Sequence, residues 1–193
     1  MYLFLWISIA VAALLVLIAV GAFNRLTGLR HRAANARHQV EVQLARRHDL
    51  IPNLVEVVKG AMAHERETLE ALTAARRDAM EALHEGAGSR ASTAAEGRLS
   101  SLLGNVISVV EAQPELRSLD NVQALQEELS STENRIAFAR QHYNDAATAF
   151  NVAREQVPAN LFARANAPAP LWEMPEGSAE RPKVDLRLGM AAG

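Results

Sequence analysis

Nine polar residues in two short blocks of the sequence are of types that line active or ligand-binding sites. They are Asp49, Asn53, Lys59, His64, Glu65, Glu133, Asn134, Arg135 and Tyr143. Such groups transfer protons or pair with charged ligands when they converge in a pocket. No nucleophile, base and orienting group are spaced here as a set. We therefore predict no catalytic residue and expect these side chains to cap, cross-link and register helices.

Motif spacing also argues against metal and cofactor sites. His64 and Glu65 begin like the zinc motif with two histidines one helical turn apart, but Thr68 occupies the second histidine's position. His31 and His38 share a helix face among arginines, which oppose a cation. The chain has no cysteine, no Gly-x-Ser-x-Gly turn and no phosphate-binding glycine loop. We predict no metal, no cofactor and no small-molecule substrate, and the sequence does not favour an enzyme.

The elements that must position these residues begin with an apolar helix. Residues 1–23 carry no charged side chain, and an arginine-rich stretch follows at once. A helix of this length extends about 35 Å, enough to cross a hydrocarbon core of about 30 Å. A cleavable signal peptide is the alternative, but nothing basic precedes the run, its apolar core is too long, and the cleavage signal is poor. We predict a retained transmembrane helix over residues 1–23.

The charges beside this helix predict its orientation. Six arginines and one glutamate lie between residues 25 and 48. Positive flanks favour the cytoplasmic side, so a single-pass protein of the bacterial inner membrane with a cytoplasmic body is expected. An extracytoplasmic body stays open, because a lone anchor can insert the other way and the lack of cysteine fits either compartment. The arginines suit anionic lipid headgroups, and a net charge of −2 gives no reason to expect a nucleic-acid partner.

The remaining chain has the composition of one helical domain. Alanine, leucine, glutamate and arginine dominate, and aromatic residues make up 5% of the chain. Apolar residues at steps of three and four predict that the anchor helix continues into the body and ends or kinks near Asp49. Pro52 is expected in the first turn of a second helix, because proline lacks the amide hydrogen that a helix interior requires.

Three further helices are predicted from apolar spacing and end signals. The second ends in the glycine-containing segment 85–89. Thr93 and Glu96 form a capping-box pattern that opens the third, and Asp120 with Gln123 is a weaker version for the fourth. The fourth helix, residues 120–156, has the clearest periodic seam: Val122, Leu125, Leu129, Thr132, Ile136, Ala139, Tyr143, Ala146 and Phe150. The predicted fold is all-α, a transmembrane helix followed by a long antiparallel bundle of about four helices.

Residues 162–193 change character. Four prolines among glycine, serine and alanine lack a core pattern, which is typical of a disordered tail. Trp172 is the large apolar side chain in this segment. It either docks on the bundle or a partner, or it lies free in a flexible chain.

Several of these segments together resemble the LemA family. The resemblance rests on residues 46–56 (RRHDLIPNLVE), 125–129 (LQEEL), 132–137 (TENRIA) and 158–161 (PANL). It covers residues 24–161 and implies a bacterial single-pass membrane protein with a helical-bundle body. The family has no settled biochemical activity, so the resemblance implies fold and location more than mechanism. The glycine-containing segment 85–89 and the chain after Leu161 depart from the family pattern.

The resemblance adds four residues to the polar set. The signature residues, expected to be structural, are Arg47, Asp49, Pro52, Asn53, Lys59, His64, Glu65, Glu133, Asn134, Arg135, Tyr143, Asn144 and Asn160.

Two classes of function agree with the sequence. The first is a non-enzymatic membrane scaffold that self-associates or holds a membrane-protein partner in the cell envelope. The second is a membrane-tethered regulatory adaptor that relays an envelope signal through shifts of helix register. A homo-oligomer is expected because the apolar seams exceed what a slim monomer would hide.

Overall fold

The computed structural model describes residues 2–60, 62 and 65–172, except the side chains of 163–165, and every element in these ranges is helical. The α-helices are α1 (Tyr2–Val58), α2 (Arg66–Gly86), α3 (Arg90–Ala112), α4 (Pro114–Arg117) and α5 (Asp120–Glu155), and a 3-10 helix spans Ala159–Ala165. Helices α1 and α5 pack antiparallel, and α2 and α3 form a hairpin beside them. The predicted all-α bundle of four long helices with an apolar amino-terminal helix is confirmed.

Helix α1 carries the apolar amino terminus directly into the body. It has 57 residues and is therefore about 85 Å long. Of the described helices it is the one long and apolar enough to cross a bilayer, and its most apolar stretch is not covered by protein. From Ala33 to Val58 its buried residues recur at the spacing of one helix face. The prediction of one continuous helix from anchor to body is confirmed.

Of the two predictions for residue 49, an end or a kink, the end is wrong, because α1 continues to Val58. The placement of Pro52 in the first turn of a second helix is also wrong, because Pro52 lies inside α1. Proline 52 cannot donate to the carbonyl four residues earlier, which belongs to His48. Arg76 of α2 replaces the missing donor, since its Nε donates to the His48 carbonyl oxygen at 2.6 Å. A side chain from a neighbouring helix thus makes the proline tolerable inside α1.

The α2–α3 hairpin turns within the predicted glycine-containing segment. Gly88 has a φ of +78°, a left-handed conformation that favours glycine. The predicted capping box is wrong, because Ser89 caps α3 by accepting the Ser92 amide at 3.1 Å. Thr93 and Glu96 consequently lie inside α3, and Glu96 is buried there.

Helix α5 begins at the predicted residue and ends one residue early. Asp120 is its first helical residue, and the side-chain amide of Gln123 donates to the Arg117 carbonyl at 2.9 Å. The second predicted capping box is therefore wrong, because α4 presents a carbonyl that Gln123 binds instead. Buried positions follow the predicted seam, including Val122, Leu129, Thr132, Ile136, Tyr143 and Phe150.

The body has two halves along α1. In the distal half, which is farther from the apolar terminus, all four long helices share one core that includes Ile51, Leu72, Val106 and Leu129. In the proximal half α1 and α5 pack without α2 and α3, and the core there is formed by Leu26, Phe150 and Ala153. A middle cluster around Val40, Ile136 and Tyr143 joins the halves.

Residues 166–172, here termed the strap, pack against the proximal half. The sequence predicts a disordered tail from residue 162, but residues 162–172 instead lie against the body because α5 supplies partners for the strap backbone. Trp172, predicted either to dock or to lie free, is 1% exposed and docks on the middle cluster. The rest of the predicted tail, residues 173–193, lies outside the described residues.

Candidate functional site

Arg47 of α1 is the centre of a buried ion-pair layer where the two halves meet. Its side chain is 1% exposed. The guanidinium pairs with Glu96 of α3, donates to Glu133 of α5 at 2.6 Å, and donates to the Ser100 hydroxyl at 2.8 Å. Such partners are needed because an unpaired charge in a protein interior is strongly destabilising. Arg47 therefore fixes the register of α1 against α3 and α5.

His48 adds a second contact between α1 and Glu96. Its Nε2 lies 2.9 Å from the carboxylate, so Glu96 bridges two consecutive residues of α1. Burial alone would raise the pKa of Glu96, but the hydrogen bond with His48 and the charge of Arg47 outweigh burial and lower that pKa. The ion-pair layer, consisting of Arg47, His48, Glu96 and Glu133, is thus built to keep one buried carboxylate ionised.

Arg140 of α5 lies between the ion-pair layer and the strap. Its guanidinium carbon is 5.6 Å from the centre of the Trp172 ring, which is a cation–π distance. Burial and the nearby positive charge of Arg47 lower the pKa of Arg140, while Glu133 and Glu96 act in the opposite direction. Arg140 therefore contacts the strap through Trp172, and its pKa is affected by the charges of the ion-pair layer.

Two asparagines of α5 bind the strap through its backbone. Asn144 accepts the Trp172 amide at 2.8 Å and donates to the Trp172 carbonyl at 3.0 Å. Asn151 accepts the Ala169 amide at 2.9 Å and donates to the Ala169 carbonyl at 2.8 Å. Seven helical residues span about 10 Å, as do three residues of extended chain. The spacing of the asparagines therefore matches the spacing of the strap residues they hold.

The end of the strap is fixed by aromatic contacts. The Tyr143 hydroxyl donates to the Pro170 carbonyl at 2.6 Å, and its ring meets Trp172 edge to face at 6.0 Å. Burial raises the pKa of Tyr143, and the charge of Arg37 offsets this only in part. The Trp172 ring also lies close to Gly88, where an added Cβ would be 3.1 Å from it. Gly88 is therefore favoured for two reasons: the turn has a left-handed backbone conformation there, and a side chain would crowd the docked Trp172.

The structure brings together only part of the predicted polar set. Arg47 and Glu133 meet in the ion-pair layer, and Tyr143 and Asn144 meet at the strap. Glu65 lies 3.5 Å from the Thr68 hydroxyl, and Lys59, which follows the last residue of α1, pairs with exposed Glu56 at 2.6 Å. The remaining described members are exposed and join neither group: Asp49, Pro52, Asn53, Asn134, Arg135 and Asn160. His64 lies outside the described residues.

Sequence reasoning missed several residues that complete these two groups. The sequence predicts that Glu96 caps α3, although Glu96 lies three residues before Leu99 on the face that becomes buried. Asn151 follows Asn144 by two helical turns, a spacing that marks a shared face. The other missed contributors are His48, Ser100 and Arg140, whose partners lie on other helices.

Two open clefts lie near these residues. One lies between α1 and α2, has a volume of about 400 Å³ and is lined by residues that include Glu41, His38, His48 and His84. The other lies between α3 and α5, has a volume of about 610 Å³ and is lined by residues that include Ser100, Glu133 and Asn134. His48 is turned toward Glu96 and is almost fully covered. Within the described part of the chain, no group of three or more His, Cys, Asp or Glu residues is placed to hold a metal ion. The buried polar groups instead act on other helices and on the strap.

Comparisons with known proteins agree with this architecture. The LemA family model matches residues 36–186, a range that includes the ion-pair layer and the strap. The prediction that the chain after Leu161 departs from the family pattern is therefore wrong as far as residue 186. Magnetosome protein MamQ of Magnetospirillum gryphiswaldense is 25% identical over 163 residues, which covers 73% of this chain and 60% of MamQ. Magnetosome proteins MamQ 1 and MamQ 2 of Paramagnetospirillum magneticum are each 26% identical with the same coverage.

The chain spans 60% of the length of these curated relatives. The family model matches well over half of the chain, with the ion-pair layer inside the matched range. The protein therefore belongs to the LemA family.

Proposed function

We propose that this protein is a membrane-anchored, non-enzymatic scaffold of the bacterial cell envelope that acts by self-association or by holding a membrane-protein partner. One observation carries the proposal. The signature residues Arg47, Glu133, Tyr143 and Asn144, of which Arg47 and Tyr143 are buried, bind other helices or the strap. A site for chemistry would instead leave such groups free to contact a ligand.

The apolar part of α1 and the arginines that follow it support the proposed location of the protein. The uncharged part of α1 lies in the bilayer and the following arginines lie at anionic headgroups, which favours the inner membrane and a cytoplasmic body. An impermeant thiol reagent tests the orientation, because the chain has no native cysteine. A cysteine at exposed Ala137 should be protected in intact cells that retain only the inner membrane. Labelling of that cysteine in such intact cells would place the body outside the cytoplasm.

Phe138 supplies a testable contact surface for self-association. Its side chain is 77% exposed on α5, in a body whose other large apolar groups are mostly buried. We expect the full-length protein, gently solubilised from native membranes, to have the mass of a homo-oligomer. Phe138→Glu should reduce that mass, whereas Ala137→Glu, which adds the same charge at the neighbouring exposed position, should not. An unassociated wild-type protein without co-purifying chains would contradict the proposal.

A regulatory adaptor is the second candidate, and the continuity of α1 favours it. A displacement of the anchor along its axis would reach Arg47 without crossing a loop. Cross-linking in native membranes separates the two candidates. A stoichiometric homo-assembly under all conditions supports the scaffold, and a contact with a second protein that varies with envelope stress supports the adaptor.

A further inference from the structure

Apolar side chains are exposed on the segment that follows α5. Val157 and Leu161 are 82% and 75% exposed, and Phe162 follows them in the 3-10 helix. Water is an unfavourable environment for neighbouring large aliphatic groups, and an exposed apolar patch commonly marks a contact with a partner or a membrane. We define these three residues as the membrane foot.

Contacts with α1 place this segment at the end of the anchor. The Phe162 ring lies 5.4 Å from the Phe23 ring in an edge-to-face arrangement. Phe23 is the last residue of the uncharged run 1–23. Val157 also shares a small crevice with Ala22 and Arg25 of α1. The foot is therefore at the level where the hydrocarbon core gives way to headgroups, if residues 1–23 span the membrane as proposed.

The charges around the foot suit a lipid surface. Residues 156–172 contain no aspartate or glutamate. Arg25 lies two residues beyond Phe23, and Arg30 donates to the Asn166 side chain at 3.4 Å where the strap begins. Glu155, at the end of α5, is the nearest acid along the chain. Basic groups beside exposed apolar groups are the combination that binds membrane interfaces containing anionic lipids.

We propose that the membrane foot inserts into the interface of the bilayer that holds α1, giving the body a second lipid contact besides its anchor. This inference depends on the proposed membrane anchoring. The occupant is lipid because Phe162 packs directly on the anchor at the headgroup level. Two contacts, at α1 and at the foot, would hold the body at a fixed height and tilt.

Labels at single cysteines test the proposal in the full-length chain. Leu161→Cys and, separately, Val157→Cys carry an environment-sensitive fluorophore, and the protein is reconstituted in vesicles of equal parts phosphatidylcholine and phosphatidylglycerol. Ala137→Cys is the control, since Ala137 is exposed on α5, lies far along that helix from the foot, and is outside the proposed self-association contact. Val16→Cys reports the anchor itself. All four sites are exposed in the protein, so a label should be tolerated.

We expect lipid-attached quenchers to act several-fold more strongly on labels at Leu161 and Val157 than on the label at Ala137. The inference is overturned if the foot labels are as accessible to aqueous iodide as the Ala137 label while the Val16 label is protected. Exposure of the Val16 label to iodide would instead overturn the proposed anchoring, and the foot with it. The two failures are therefore distinguishable in one experiment.

Discussion

The distal and proximal halves of the body use the same two helices but cover them differently. In the distal half, the α2–α3 hairpin covers α1 and α5 with apolar side chains around the ion-pair layer. In the proximal half, a seven-residue strap takes the place of the hairpin. A helix satisfies its own backbone, whereas the strap needs external partners for each amide and carbonyl. The comparison explains why Asn144 and Asn151 of α5 both bind backbone groups of the strap.

The two halves also differ in what holds their register. The distal half depends on charges, because buried Arg47 joins three helices through its ion pairs with buried Glu96 and exposed Glu133. The proximal half depends on neutral hydrogen bonds and one indole ring, with Arg140 between them. A buried charge that loses its partner lowers the stability strongly, whereas the loss of one neutral hydrogen bond lowers it less. Mutations in the two halves should therefore differ in size and in how far their effects spread.

The largest effect is expected for Arg47→Met, which leaves Glu96 buried without its main counter-charge. We expect the free energy of unfolding to fall by about 3–5 kcal/mol, because the remaining charge is no longer compensated. Chemical denaturation of the full-length protein in detergent, followed by helical circular dichroism, measures the change.

Two variants sharpen this test. Arg46→Met removes the neighbouring arginine, whose pair with Glu128 at 2.7 Å is exposed, and should cost at most about 1 kcal/mol. Adding Glu96→Gln to Arg47→Met should restore part of the stability, because a neutral amide can still bond to His48 and needs no counter-charge. Equal losses in the Arg46 and Arg47 variants would refute the assigned role of the layer.

The next effect should be confined to the proximal half. Trp172→Ala removes the buried ring that ends the strap, with an expected loss of about 2–3 kcal/mol in strap docking. Hydrogen exchange should show loss of protection at the Ala169 and Trp172 amides, while α2 and α3 keep theirs. Leu171→Ala is the control, since the Leu171 side chain is 53% exposed and its truncation should change the docking of the strap little. Equal loss of protection in α2 and α3 would contradict the separation of the halves.

A smaller effect is expected at the His48 carbonyl, which binds Arg76 because Pro52 has no amide hydrogen to donate. Arg76→Met removes the donor to the His48 carbonyl and should cost about 1–2 kcal/mol, because a buried acceptor loses its partner. Pro52→Ala restores an amide at the position that normally serves this carbonyl. The double variant should therefore regain most of the stability lost in Arg76→Met, as measured by the denaturation midpoint. Additive losses in the double variant would show that Arg76 acts elsewhere.

The sequence predicts the helices better than the contacts between them. The limits of α5 follow from a local periodic pattern, so they are readable from residues 120–156 alone. The passage of α1 through Pro52 depends on Arg76, which lies 28 residues from His48 in the chain. The sequence predicts a capping role for Glu96 because its actual partners, Arg47 and His48, lie almost 50 residues away in the chain. The strap has no periodic pattern of apolar residues that would predict its docking, since its contacts are made mainly by its backbone and by the Trp172 indole.

The smallest effect is expected from pH, because burial of Glu96 offsets part of what His48 and Arg47 contribute. The folded pKa of Glu96 lies below its unfolded value, so its ionisation stabilises the fold above the unfolded pKa. That contribution is lost as the pH falls through the folded pKa. Other carboxylates titrate in the same range, so the test is the difference between wild type and Glu96→Gln. The wild type's advantage over the variant should shrink on acidification below about pH 4.5. A difference that is constant across this range would mean that Glu96 stabilises the layer by shape and not by charge.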